Sequence, residues 1–190
     1  VVVPALIGFS RGADGLVVRS EIKKVNDLKG KVVASAQFTE ADFLIRYLAQ
    51  EAGIAVNMLA DLAAKPDPDR INFVYCADGF GAGDLFLRDI KAGRHRLAGC
   101  VTWAPKTTEV AEGSGGKAHI LVTNRNLLIV ADILMVNGGF AKANPKIVGG
   151  LVQGLLEGNA MVRDTPDKCI GVIARAFNWK NEDTKRELEK

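Results

Sequence analysis

Val25-Asn26-Asp27-Leu28-Lys29-Gly30-Lys31-Val32-Val33-Ala34-Ser35-Ala36-Gln37-Phe38-Thr39-Glu40 is the stretch on which the fold turns. Asp27 and Gly30 bound a tight turn, Lys31–Ala36 reads as a short buried strand, and Gln37-Phe38-Thr39 forms a polar loop that opens a helix. The helix runs over 40–52, with Phe43, Leu44, Tyr47 and Leu48 on one face and Gly53 at its end. Thr39 stands at the N-cap position, and Glu40 and Asp42 occupy the first turn. A strand end that feeds a helix N-terminus is a cradle for a small polar or anionic group, because the first-turn amides have no partner inside the helix.

The same alternation continues outward. Strands are predicted at about 1–9, 15–18, 71–76, 97–103, 120–122 and 129–136, and helices at 57–64, 84–92 and in the tail from Asn144-Pro145, Pro166 and Asn181 onward. In the first tail helix Ile147, Val148, Leu151, Val152, Leu155 and Leu156 form an apolar stripe; in the second, Cys169, Ile170, Val172 and Ile173 are expected inward. Strands alternating with helices of this length predict an α/β architecture with a mixed, mostly parallel sheet flanked by helices.

Composition narrows the function classes. The chain has 190 residues, 48% of them hydrophobic, so it can bury a core as one large domain or two small lobes. Twenty-five Lys and Arg against 22 Asp and Glu give a formal net charge of +3, too mild and too scattered to indicate nucleic acid. Cys76, Cys100 and Cys169 are isolated, with no CxxC pair or nearby histidine, so they read as packed thiols rather than metal ligands. No run approaches the ~18 apolar residues of a membrane span. The chain opens on Val1 without a basic leader and closes inside a helix without a cap, which points to a piece of a longer protein.

No motif for covalent or acid–base chemistry stands out. There is no GxxxxGK[ST], and the glycines of Asp78-Gly79-Phe80-Gly81-Ala82-Gly83 lack dinucleotide-binding spacing, so a flexible loop is the expectation there. His95 and His119 sit in charged or glycine-rich loop contexts without a nucleophile beside them, and no carboxylate pair singles itself out. A binding role without catalysis, and without cofactor or metal, is therefore expected. Its candidate ligand-binding residues are Ser10, Gly12, Asp14, Gln37, Phe38, Thr39, Trp103 and Asp132. Trp103 closes a buried strand before Pro105 and is read as either a core residue or a ring facing the ligand. Asp132, inside an apolar run, is read as hinge glue or a ligand contact.

Gly12-Ala13-Asp14-Gly15-Leu16-Val17-Val18, Val25–Ala34, Lys91-Ala92-Gly93, Val101-Thr102-Trp103-Ala104-Pro105, Ala131–Val136 and Phe140–Pro145 occur in an order that resembles the type II periplasmic substrate-binding proteins of ABC importers, in the branch that takes nitrate, sulfonates, taurine and thiamine precursors. The resemblance implies two α/β lobes, with ligand held in the cleft between them and hinge closure over it. It divides the chain into 1–25 as part of lobe 1, 26–104 as lobe 2, 105–136 as the return and hinge, and 137–190 as lobe 1 helices. Family members carry a further strand–helix–strand unit ahead of the equivalent of Val1, so lobe 1 is expected to be incomplete. The resemblance implies a small-molecule ligand, a membrane permease of the ABC type as partner, and a periplasmic or extracellular location, with a lipid anchor supplied from outside these residues in some arrangements. The alternatives on the same fold are an enzyme such as a pyrimidine-precursor synthase and a ligand-sensing regulatory domain. This chain departs from the family pattern at Ala98, where an Asp is usual, at Ala104, where Glu is common, and at Gln37-Phe38-Thr39, which replaces a small Gly-Ser.

Overall fold

The computed structural model describes residues 1–189. The strand read at 31–36 is β3 (Val32–Ala36), buried at all five positions. A strand buried on both faces needs neighbours on both sides, and β3 has them: β5 (Ile71–Cys76) and β6 (Gly99–Trp103) both pair with it in parallel. β4 (Val56–Met58) joins β5 in parallel, while β2 (Asp14–Arg19) runs antiparallel to both β6 and β7 (Ala118–Thr123). The strand order is β4-β5-β3-β6-β2-β7. The sheet is thus mixed and mostly parallel, as expected.

Strand alternation assigns the helices to its two faces. Val32 and Ala34 of β3 share a core with Val17, Val74 and Cys100, covered by Phe86 and Ile90 of α2 (Gly79–Lys91) and Val110 of α3 (Lys106–Gly113). The side chains of Phe73 and Tyr75 point the other way, toward α1 (Glu40–Glu51), whose Leu44 and Ile45 are fully buried.

These elements make up one compact unit, Arg11–Leu127. The second comprises Val1–Ser10 and the chain from Leu128 onward. In it β1 (Val2–Phe9) pairs antiparallel with β8 (Ala131–Val136), and α4 (Gly138–Ala143), α5 (Pro145–Asp164), α6 (Pro166–Phe177) and α7 (Asn181–Leu188) follow. Asn159 of α5 donates to the Ile7 carbonyl of β1 at 3.1 Å, and Cys169, Ala174 and Thr184 are buried between α6 and its neighbours.

Several sequence expectations change. The division at 25/26 does not fall where the sheet divides, because β2 is buried at all six positions and hydrogen-bonded on both sides within the same sheet as β3. Residues 105–127 likewise contribute α3 and β7 to that unit. The helix predicted over 57–64 is instead β4 and a turn: Asn57 is drawn to the sheet by its bond to Asn72 Oδ1 (2.8 Å), and Asp61 Oδ1 accepts from the amides of Ala63 and Ala64. α2 begins at Gly79 rather than 84, because Asp78 caps it through the Gly81 amide at 2.7 Å. The Asp78–Gly83 segment is therefore a helix start, not a flexible loop. α3 lies where the sequence pattern marks no helix. His119 lies within β7 rather than in a loop. In the tail, Ile147, Leu151, Leu156 and Val172 are exposed, while Val148, Val152 and Leu155 are half-buried.

Candidate ligand-binding edge

In a mostly parallel sheet the strand ends gather loops from distant parts of the chain onto one edge. At the carboxyl edge of the six-stranded sheet stand Gln37-Phe38-Thr39 after β3, Asp78-Gly79 after β5, Trp103 ending β6 and Asn124 after β7. Because β2 runs the opposite way, its start and the Gly12–Ala13 residues that lead into it lie at the same edge, and Asp14 is directly opposite Trp103.

The loop after β3 is held in an unusual shape. Phe38 has φ 60°, a left-handed conformation that a bulky residue rarely adopts, and it is 90% exposed. Thr39 occupies the N-cap position, but its hydroxyl does not cap the helix; it donates back to the Ala36 carbonyl at 2.7 Å. Asp42, which could reach back toward that cap, points elsewhere. Its Oδ1 accepts from Tyr75 Oη (2.8 Å) and from Arg46 Nε (3.0 Å), and Arg46 Nη2 donates to Tyr75 Oη at 2.7 Å. Burial, then the bond to Asp42, pushes the Tyr75 pKa up, so the phenol stays protonated as the donor. This triad pins the first turn of α1 to β5. The amides of Glu40, Ala41 and Asp42 donate to no group among the described residues; Glu40 is half-buried, and Ala41 and Asp42 are buried.

The start of α2 contrasts with this. Asp78 already fills its cap, and its carboxylate disfavours an anion there. Over this helix start lies Trp103, its ring against the Gly79 backbone and edge-on to Phe80 with centroids 5.6 Å apart. Trp103 is half-buried and packs on Gly79 and Phe80. Lys106 Nζ sits 5.5 Å over the Phe80 ring. Burial works against its charge, but bonds to Glu109 (2.6 Å) and Asp84 (3.1 Å) outweigh it and raise the Lys106 pKa.

The Gly12–Asp14 loop depends on Asn124, a residue that sequence reasoning missed. Asn124 is fully buried; its Oδ1 accepts from the amides of Gly12 (2.7 Å) and Asp14 (3.3 Å), and its Nδ2 donates to Asp14 Oδ2 at 2.7 Å. Its own amide donates to the Asp14 carbonyl at 3.0 Å. Gly12 has φ +94°, which explains the need for glycine. Asp14 is 2% exposed and committed to Asn124, so in this state it shapes the loop rather than offering an open carboxylate. Asn124→Ala removes the acceptor of two amides and one donor to the Asp14 carboxylate, and should cost about 1.5 kcal/mol in urea unfolding followed by tryptophan fluorescence; a cost near zero would remove Asn124 from this role.

Gly12, Asp14, Gln37, Phe38, Thr39 and Trp103 thus come together on one edge. Ser10 and Asp132 belong to the other unit. Ser10 donates its amide to the Val130 carbonyl, and Asp132 is paired opposite Gly8 in β1. The run containing Asp132 is exposed at that position, so the desolvation argument that singled it out does not apply. Among the described residues no three metal-binding side chains cluster, and no helix is long and apolar enough to cross a membrane. Burial drives the Cys100 thiol far above its ordinary range, and Cys76 is raised by burial and then by Asp78.

No family model and no curated protein sequence matches the chain. Solved structures do. The periplasmic aliphatic sulphonate-binding protein SsuA of Escherichia coli superposes with a TM-score of 0.69 at 17% identity, over 97% of this chain and 58% of its own. The alkanesulfonate-binding protein SsuA of Xanthomonas axonopodis pv. citri, bound to MOPS, gives 0.67 at 18%, with the same coverage. The chain therefore has the type II periplasmic-binding fold and spans little more than half the length of these proteins.

Proposed function

We propose that the chain is the major part of a solute-binding protein of an ABC-type importer, and that it captures a small anion, with alkanesulfonates the first class to test. The observation that carries this reading is the uncapped N-terminus of α1. Its three first-turn amides are unused, its cap hydroxyl is turned away, and Asp42 is held aside by Tyr75 and Arg46. Three convergent amides at the positive end of a helix dipole suit an oxyanion such as a sulfonate. Phe38, exposed just before them, and Trp103, ending the strand beside β3, offer apolar surface for an alkyl or planar portion. The fold shared with two sulfonate-binding proteins supports the same class. On this reading the partner is a membrane permease and the location periplasmic or extracellular. The reading is of a binding protein, with no catalytic residue assigned.

The test is thermal shift and calorimetry against MOPS, shorter alkanesulfonates, nitrate, sulfate and pyrimidines. A ligand at about 100 times its Kd should add roughly 2.7 kcal/mol of stability. Glu40→Pro then isolates the amides. Proline is tolerated at the first helical position, and Thr39 before it is already extended. The substitution removes one amide and one negative charge together. Charge alone predicts tighter anion binding, while loss of the amide predicts affinity weakened about tenfold, an effect of about 1.4 kcal/mol. Tighter binding in Glu40→Pro would exclude α1 as the anion site.

A further inference from the structure

The opposite edge of the six-stranded sheet holds a cavity of about 560 Å³, within the size range of small-molecule pockets. We propose that it is a second binding site, for a small organic phosphate with an apolar body. Its charged lining comes from separate elements: Arg19 ends β2, Glu21 follows it, Lys31 precedes β3, Lys65 follows β4, and His95 and Arg96 precede β6. Glu21 is the single acid among them.

Arg19 makes this a built site rather than a charged surface. Its side chain is 7% exposed. Nε donates to the Leu97 carbonyl (2.6 Å), and Nη2 to Asp89 (2.8 Å) and the Arg94 carbonyl (2.6 Å). The guanidinium is thereby locked in one orientation, and its Nη1 makes no hydrogen bond within the described residues. Held in one orientation, the guanidinium loses little entropy on binding an anion, and the two hydrogens of Nη1 are the donors left for a phosphate. Lys31 and Lys65 have no ion-pair partner among the described residues, so they supply charge that the fold itself does not use. Ile22, Leu62 and Leu97 line the rest of the cavity and give an apolar body somewhere to lie. Phosphate is favoured over a monoanion because cations from four segments converge on one space.

Phenyl phosphate is the probe, titrated into the 190-residue chain with amide shifts followed by NMR. Saturable shifts are expected at Lys31–Val32, Ala63–Lys65 and Arg96–Ala98. The double variant Lys31→Gln/Lys65→Gln, both positions exposed and outside the core, should weaken binding at least about tenfold. Inorganic phosphate should bind more weakly than the phenyl ester. The site is independent of the α1 N-terminus, so Glu40→Pro should leave phenyl phosphate affinity unchanged even where sulfonate binding is lost. Shifts confined to Gln37–Thr39 and Gly79–Phe80, absence of saturation by about 10 mM, or equal affinity in the double variant would each overturn the proposal.

Discussion

Asp89→Ala is expected to cost about 3–5 kcal/mol, because it leaves a buried cation without its carboxylate. Asp89 lies on α2 with its side chain 1% exposed. Its Oδ2 accepts from Arg19 Nη2 (2.8 Å) and from the Leu97 amide (3.1 Å), so the removal orphans one backbone donor as well. Its Oδ1 is 3.5 Å from Arg96 Nε, an ion-pair distance without a hydrogen bond, so the half-exposed Arg96 offsets little. Arg19 keeps two carbonyl acceptors and lies 5.8 Å over the Phe86 ring, but neither neutralises its charge. The measurement is urea unfolding read by Trp103 in a Trp179→Phe background, which isolates the six-stranded unit. Arg19→Met added to Asp89→Ala should recover part of the loss, since an apolar pair leaves no orphaned charge. A cost below about 1 kcal/mol for Asp89→Ala would show the pair to be effectively solvated.

The elements behind these effects were unequally legible. Lys31–Ala36 declared itself because a continuous apolar run between Gly30 and a polar loop has few alternatives to a buried parallel strand. The helix at 40–52 did so through its period. What a local pattern cannot encode is pairing. Gly15–Val18 reads as a strand, yet nothing in those residues says that Trp103–Gly99 and Thr123–Ala118 will flank it. Grouping it with the first residues was the natural error. At 57–64 a helical spacing of apolar residues was overruled by Asn57 bonding to Asn72 and by the Asp61 turn, both decided by tertiary contacts.

The binding edge shows the same limit. Gln37, Phe38 and Thr39 were legible as a loop before a helix, but the turned-away hydroxyl of Thr39 was not, since a Thr at that position looks identical whichever acceptor it finds. Asn124 carried no signal of its own. Its importance arises from a glycine loop more than a hundred residues earlier, and only a polar residue closing a strand beside Thr123 hinted at it. Asp132 failed for the converse reason: an apolar run implies burial, whereas β8 is largely exposed beside β1.

Gly79→Ala joins stability to binding, and its sign separates two explanations of that glycine. Helix propensity alone favours alanine by up to about 1 kcal/mol, and Gly79 needs no left-handed backbone. The Trp103 ring predicts the reverse. A methyl at Gly79 would press on ring carbon Cζ3 and lie 2.8 Å from Cε3 and 2.9 Å from Cη2. A rigid indole seated between Gly79 and Phe80 cannot yield by rotating a terminal bond, so it must tilt off the start of α2 and weaken its edge contact with Phe80. Overpacking of this kind costs about 1–3 kcal/mol, enough to exceed the propensity gain and give a net loss of about 1 kcal/mol. Gly79→Ala should also shift Trp103 emission and weaken ligand affinity by about tenfold on the proposed reading, because it moves the ring proposed to contact the ligand. Fluorescence in the Trp179→Phe background reads the first effect, and calorimetry the second. A stabilised Gly79→Ala protein with unchanged emission would mean that Trp103 does not rest on this glycine. A destabilised protein with unchanged affinity would confine Trp103 to packing and leave the anion site to the α1 amides alone.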